Sequence, residues 1–266
     1  MSARTVVQKT AEAVAFGIVS GKYAVGERLP SVRKLAAEYE INPSTVQVVL
    51  AHLQSSGFVS AHPGLGFIVK DIETYGGIAT WRYIFRFAQQ LPDRAAKIFE
   101  ELLEYRIITI LDALERIARN PGKYDPAPVR RAVEQLHLIG KASPGNYAEI
   151  ARAEIHALRM LHVATGQTVI TAVMNSISEV YLEVPAVMQT MSSNPKQHLG
   201  VWYGMIEAWE QGNLSERGLP GVAKLLRDHD RRLNKYFREL VSSPDYRPEL
   251  PETGFLSASQ APARSS

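Results

Sequence analysis

The sequence predicts a mainly α-helical chain in two parts: three short helices closed by a β-hairpin, then a bundle of longer helices. Three observations predict it. Apolar residues recur with helical period over most of the 266 residues, strand-like pieces are confined to a stretch near position 60, and Pro- or Gly-bearing breaks divide the rest.

A first helix is expected from about Thr5 to Val19, with Val6, Val7, Ala11, Val14 and Ile18 on one face. "SGKYAVGERLP" breaks it, and Pro30 with Ser31 opens a second helix that runs to about Tyr39. After the turn "EINP", Ser44 starts a third helix with Val46, Val49, Leu50 and Leu53 as its core face, ending near Gly57. Two β-prone pieces follow, "FVSA" and "GFIVK", joined by "HPGL", where Gly64 and Gly66 can supply positive φ. "DIETYGG" reads as a linker. From Ile78 to Val241 six or seven helices are expected, with breaks at "LPD", "NPGKYDP", "SPGN", "SSNP" and "NLSERGLPG", and with helices over 93–118, 148–164, 167–191 and 222–240 among them. The domains are therefore drawn as residues 1–72, a linker at 73–78, a helical domain at 79–241 and a Pro/Ser-rich tail at 242–266 that is expected to be disordered.

Composition excludes several classes. No apolar run approaches the roughly 20 residues of a membrane span. The first residues are too polar for a secretory leader. The absence of cysteine excludes disulfides and thiolate metal sites and suits a cytoplasmic protein. The net charge of +3 is too small to indicate a nucleic-acid partner, so that indication has to come from local pattern.

Three short helices and a hairpin describe a winged helix-turn-helix. Asn42-Pro43-Ser44-Thr45 makes a tight turn and begins a helix with Pro at its first position, where a missing N–H has no cost. The free N–H groups of that helix end, with the Ser44 and Thr45 hydroxyls, suit phosphate oxygens. Gln47 lies beyond them on the polar side, where a recognition helix reads base edges. Taken singly, each of these residues could simply cap or solvate a helix. The order helix, turn, helix, hairpin favours double-stranded operator DNA.

The stretch "SGKYAVGERLPSVRKLAAEYEINPSTVQVVLAHLQSSGFV", with "GLGFIV" after it, resembles the DNA-binding domain of GntR-family bacterial transcription regulators over about residues 10–70. The resemblance implies DNA contacts by Arg33, Ser44, Thr45 and Gln47, and a wing glycine at Gly64. Pro43 and Gln47 stand where many members carry Arg, which puts the usual guanine contacts in doubt. The helical half resembles the FadR/FCD subclass, whose bundle forms a homodimer and encloses an effector. Much of that subclass binds a divalent metal through an Asp, a His one turn later and two further His residues. Here Glu154 falls at the Asp position, Leu158 at the first His and Trp202 near the second, leaving His229, so no metal is expected. The metal-free FadR branch responds to long-chain acyl-CoA. "PDRAAKIFEELLEYR" resembles its leading helix, and Asn175 and Tyr181 fall at matching distances after "ATG".

Arg106 is the most informative residue of the helical half. With Leu102, Leu103 and Ile110 as helix neighbours it projects from an apolar face, where a guanidinium needs a partner. Glu154 or an anionic effector could serve. The expected effector residues are Arg106, Glu154, Asn175 and Tyr181; the effector is an acyl-CoA or lipid-derived acid, or alternatively a small carboxylate held by Arg106. His162 reads as an ordinary helix-face residue. Nothing in the sequence forms a nucleophile–base pair, and no enzyme is expected.

Overall fold

The computed structural model describes residues 5–193 and 195–246. The chain divides into two compact units, one reaching Phe87 and one from Ala88 to Tyr246. The expected disordered tail lies, beyond Tyr246, outside the described residues.

The first unit opens with α1 (Val6–Val19), begun by a capping box in which Thr5 and Gln8 exchange side-chain and backbone hydrogen bonds. Ser31 caps α2 (Val32–Glu38), its hydroxyl accepting the Lys34 N–H at 3.3 Å. The turn then passes through Glu40 at φ 52°, and the Ile41 N–H returns to the Ala36 carbonyl at 3.0 Å. Next comes α3 (Pro43–Ser55), which buries Val46, Val49, Leu50 and Leu53 as the periodicity predicts. Strands β1 (Val59–His62) and β2 (Gly66–Val69) pair antiparallel, with Val59 opposite Val69 and His62 opposite Gly66. Gly64 and Gly66 both take left-handed backbone, at φ 76° and 90°, as the hairpin requires. The segment before α2 adds to the free edge of β2: the Gly26 and Leu29 N–H groups each donate 2.9 Å bonds to it.

The residues read as a linker are ordered differently. Asp71 caps a single turn, α4 (Ile72–Tyr75), and α5 (Ile78–Arg86) belongs to the first unit. Two polar contacts fasten α5. The buried Thr80 hydroxyl donates to the Ser56 carbonyl at 2.6 Å, at the C-terminus of α3. Arg86 donates to the buried Glu12 carboxylate of α1 at 2.5 Å. Tyr83 completes the seam edge-on to Phe58, ring centroids 5.1 Å apart.

The second unit contains α6 (Pro92–Arg119), α7 (Ala127–Ala142), α8 (Tyr147–Ala164), α9 (Thr168–Glu183), α10 (Pro185–Met191), α11 (Pro195–Glu210) and α12 (Leu219–Ser242). The long α6 and α12 pack along each other, with Phe99 and Phe237 stacked at 4.6 Å between centroids. The five expected breaks are present, as is the one between the helices expected over 148–164 and 167–191, and the latter is cut once more. Gly166, at φ 70°, ends α8, and Pro185 starts a new helix after Val184. His162, read as a helix-face residue, is fully buried and paired through Nδ1 with Gln167 Oε1 at 2.8 Å.

Replacing Thr80 by Val keeps the shape of the side chain and strands the Ser56 carbonyl. Thr80→Val should lower stability by about 1–3 kcal/mol in urea unfolding. An unchanged midpoint would show that the bond does not hold α5 in place.

Candidate functional site

The candidate DNA-facing side is that of the helix-turn-helix. Pro43 supplies the first residue of α3, and Asn42 at the N-cap makes no side-chain capping bond, so the first N–H groups stay available to an anion. Ser44 and Gln47 are exposed and Thr45 is half-buried on this turn, while Arg33 is exposed on α2 and Gly64 lies at the hairpin tip. The structure thus puts every one of these residues in the first unit, on helix-turn-helix or wing. Two neighbours escaped the sequence reading. Val48, 55% exposed beside Gln47, offers a methyl surface of the kind that meets thymine. Arg28 is exposed, and its Nε would stand 3.4 Å from a Cβ on wing residue Gly66. Backbone pairing of β2 with the segment before α2 brings it there, and no local spacing in the sequence announces that pairing.

The second candidate site is interior to the helical unit. Arg106 of α6 is buried and donates through Nη1 to Glu154 Oε1 of α8 at 3.2 Å and through Nη2 to Asp230 of α12. His198 of α11 stands 3.2 Å from the same Glu154 oxygen. Its Nδ1 is 3.3 Å from His229 Nε2, and Trp202 Nε1 donates to its Nε2 at 3.0 Å. Tyr181 of α9 is buried nearby and shares with Arg106 the lining of a cavity of about 20 Å³. A second cavity of about 20 Å³ lies between Arg106, His198 and His229, and each has room for about one water. A third, of about 300 Å³, is lined by Leu136, Ile150, Met191 and Leu199 and reaches Glu154 and His198.

Three of the four expected effector residues, Arg106, Glu154 and Tyr181, are therefore together. Asn175 is not: it lies on the exposed side of α9, where its Oδ1 accepts from Arg159 Nε at 2.7 Å, because Met174, Ile177, Ser178 and Tyr181 form the inward stripe. Asp230 and His198 were missed. The stripe His198, Trp202, Met205, Trp209 along α11 could have shown His198, since it continues the apolar face one turn before Trp202. Residue 198, not position 202, is thus the histidine facing Glu154. The nitrogens do not converge on a vacant point: His198 faces His229 on one side and Trp202 on the other. Among the described residues no group of three or more is disposed to hold a metal ion, so the arrangement does not fit the divalent centre of the FCD subclass.

Burial sets the protonation states. It pushes Glu154 up to about 7, with Arg106 opposing in part, and it also raises Asp230 against the pull of Arg106. Burial lowers His198 and His229 to about 3, helped by Arg106 at both and by His198 at His229. Trp202 fixes the tautomer, because an indole N–H only donates. His198 Nε2 must accept it, and its proton sits on Nδ1 toward His229.

Linkage then gives the pH response. A folded value of about 7 for Glu154, above the ordinary 4.5, stabilises at low pH and is lost as pH rises toward 7. Folded values of about 3 for the two histidines, below the ordinary 6.5, do the reverse and are lost as pH falls below 6.5. Two groups outweigh one, so the three together should make stability rise with pH up to about 7 and level off above it. Glu154→Gln, whose amide mimics the protonated acid, should be more stable than wild type at pH 8, by a margin that shrinks as pH falls toward 4.5. Thermal melts across that range check this, and a variant less stable at both ends would contradict a protonated Glu154.

Comparison with known proteins bears on the first unit. A sequence model described as "Bacterial regulatory proteins, gntR family" matches residues 7–69. The chain is 20% identical over 211 residues to the Bacillus subtilis HTH-type transcriptional regulator YdfD, covering 76% of this chain and 43% of that one. It is 26% identical over 70 residues to B. subtilis HTH-type transcriptional regulator YhcF, 26% of this chain and 58% of that one. The chain thus spans about half the length of the curated relatives it matches. Among solved structures, that of Lar, described as controlling expression of the Listeria monocytogenes agr system and mediating virulence, superposes with a TM-score of 0.51 at 14% identity, over 90% of this chain and 100% of that one. At that identity the likeness is one of fold. With the exposed first turn of α3, the N-terminal unit is a winged helix-turn-helix DNA-binding domain of the gntR family of bacterial regulatory proteins.

Proposed function

We propose that this protein is an effector-responsive transcription regulator that binds a two-fold operator as a homodimer. The observation that carries the reading is the start of α3, where uncapped N–H groups, Ser44 and Gln47 face outward with Arg33 on the same domain. Arg33 and the helix end take phosphates. Gln47 takes a base edge, and a Gln in the place of Arg favours adenine over guanine. The helical unit is the sensor, because its charged cluster adjoins a cavity of about 300 Å³, at the lower end of the range for small-molecule sites.

The effector has an apolar body, since Leu136, Ile150, Met191 and Leu199 line that cavity. This supports the apolar half of the lipid reading and limits its size, because a long acyl chain with its nucleotide exceeds the space. A small carboxylate gripped by Arg106 has less support, since Glu154 and Asp230 already engage that guanidinium. The effector acts by preferring one arrangement of the DNA heads, and its differential affinity sets the shift.

Mobility shifts with the full chain and its upstream region test the DNA assignment. Arg33→Ala should weaken binding to all sequences alike and flatten the salt dependence. Gln47→Ala should relax preference at one base pair, and Gln47→Arg should move it from A toward G by about 1–3 kcal/mol. Unchanged base preference in Gln47→Ala at every operator position would remove Gln47 from the interface.

A further inference from the structure

The helical unit buries two carboxylates, Glu154 and Asp230, against one guanidinium, that of Arg106; their relative exposures are 7%, 5% and 4%. His198 and His229 face each other and supply no charge. With both acids ionised, the cluster is one positive charge short, and one Asp230 oxygen, Oδ2, has no hydrogen-bond partner. An uncompensated charge is not tolerated at such burial. A proton on Glu154 removes the deficit, in keeping with the burial that pushes its carboxyl up to about 7. Because His198 Nε2 accepts from Trp202 and carries no proton, it offers no donor to Glu154 Oε1 at 3.2 Å, and an ionised carboxylate there would face a nitrogen lone pair.

A proton is one way to supply the missing charge; a bound cation is the other. We propose that the cavity between α7, α8, α10 and α11 binds a monoamine, its ammonium group against Glu154 and its apolar body along Leu136, Ile150, Met191 and Leu199. On binding, the Glu154 O–H bond breaks, its proton leaves to solvent, and the ammonium group enters intact, so charge and atoms balance. Lys141 and His137 line the same cavity on α7, and Lys141 is exposed. A second ammonium at the far end of the ligand would meet Lys141, so the site selects a monoamine over a diamine. The other charged or titratable groups around Glu154 are Arg106 on α6, Tyr181 on α9, and His229 and Asp230 on α12, and none of them supplies the missing positive charge.

The inference rests on reading this cavity as the effector site, and its test is made without DNA. Hexylamine, hexanoate and 1,6-diaminohexane are titrated into the full-length protein by calorimetry at pH 6.5, in buffers of different ionisation enthalpy. Hexylamine should bind at least tenfold more tightly than hexanoate and release up to one proton per site. Glu154→Gln should abolish that proton release and lower hexylamine affinity at least tenfold. Lys141→Glu, at an exposed position that leaves the core intact, should improve diamine binding selectively. Hexanoate binding as tightly as hexylamine, proton uptake, or diamine affinity indifferent to Lys141→Glu would overturn the proposal. So would stoichiometric zinc binding that excludes the amine, since the occupant would then be a metal. Operator binding by the same preparation is scored separately, so a loss of DNA recognition would sink the regulator reading and leave the amine result standing.

Discussion

Arg106 is the point on which the helical unit depends. Its guanidinium is buried among apolar neighbours on α6, and it survives there because α8 brings Glu154 and α12 brings Asp230 into hydrogen-bond range. Removing one member of such a set leaves a buried charge without its partner, which costs about 3–5 kcal/mol. The apolar packing of α6 on α12 is thereby given a register, since the short contact to Asp230 is available at one axial alignment. The same cluster accounts for the cavities. Side chains that must satisfy a guanidinium cannot also pack as a jigsaw, and the space beside them is lined by the methyl-rich faces of the surrounding helices.

A similar economy operates in the DNA-binding unit. The recognition helix is held by its core face, Val46, Val49, Leu50 and Leu53, which leaves its first turn free of structural duties. Its far end is not free, because Thr80 of α5 takes the Ser56 carbonyl and Tyr83 packs beside Phe58. The Arg86–Glu12 pair ties the same helix to α1. Any displacement of α5 is therefore felt at the C-terminal end of α3 and at α1 together, and α5 moves with the winged helix as one body.

Legibility in the sequence followed the range of the interactions. The three short helices, the hairpin glycines and the core face of α3 could be read locally, because caps, periodicity and left-handed turn positions are properties of a few adjacent residues. The order of Arg106 and its apolar neighbours also showed that a partner was required. One helix break was overlooked, because Pro185 stands without the polar cluster that marks the other breaks. Asn175 was placed by its distance from a motif, and the inward stripe of α9 turned it to solvent.

The sequence by itself determined that the chain begins with a winged helix-turn-helix, that Ser44 and Gln47 open its recognition helix, and that a charged Arg106 sits on an otherwise apolar face. These are consequences of local sterics, hydrogen-bond capping and helical period. Only the tertiary structure decided that Asp230 and Glu154 answer Arg106, that His198 and not position 202 faces Glu154, and that Arg28 lies beside the wing. Each of these joins residues far apart in the chain, and the angle at which one helix or strand meets another has no signature in the spacing along either.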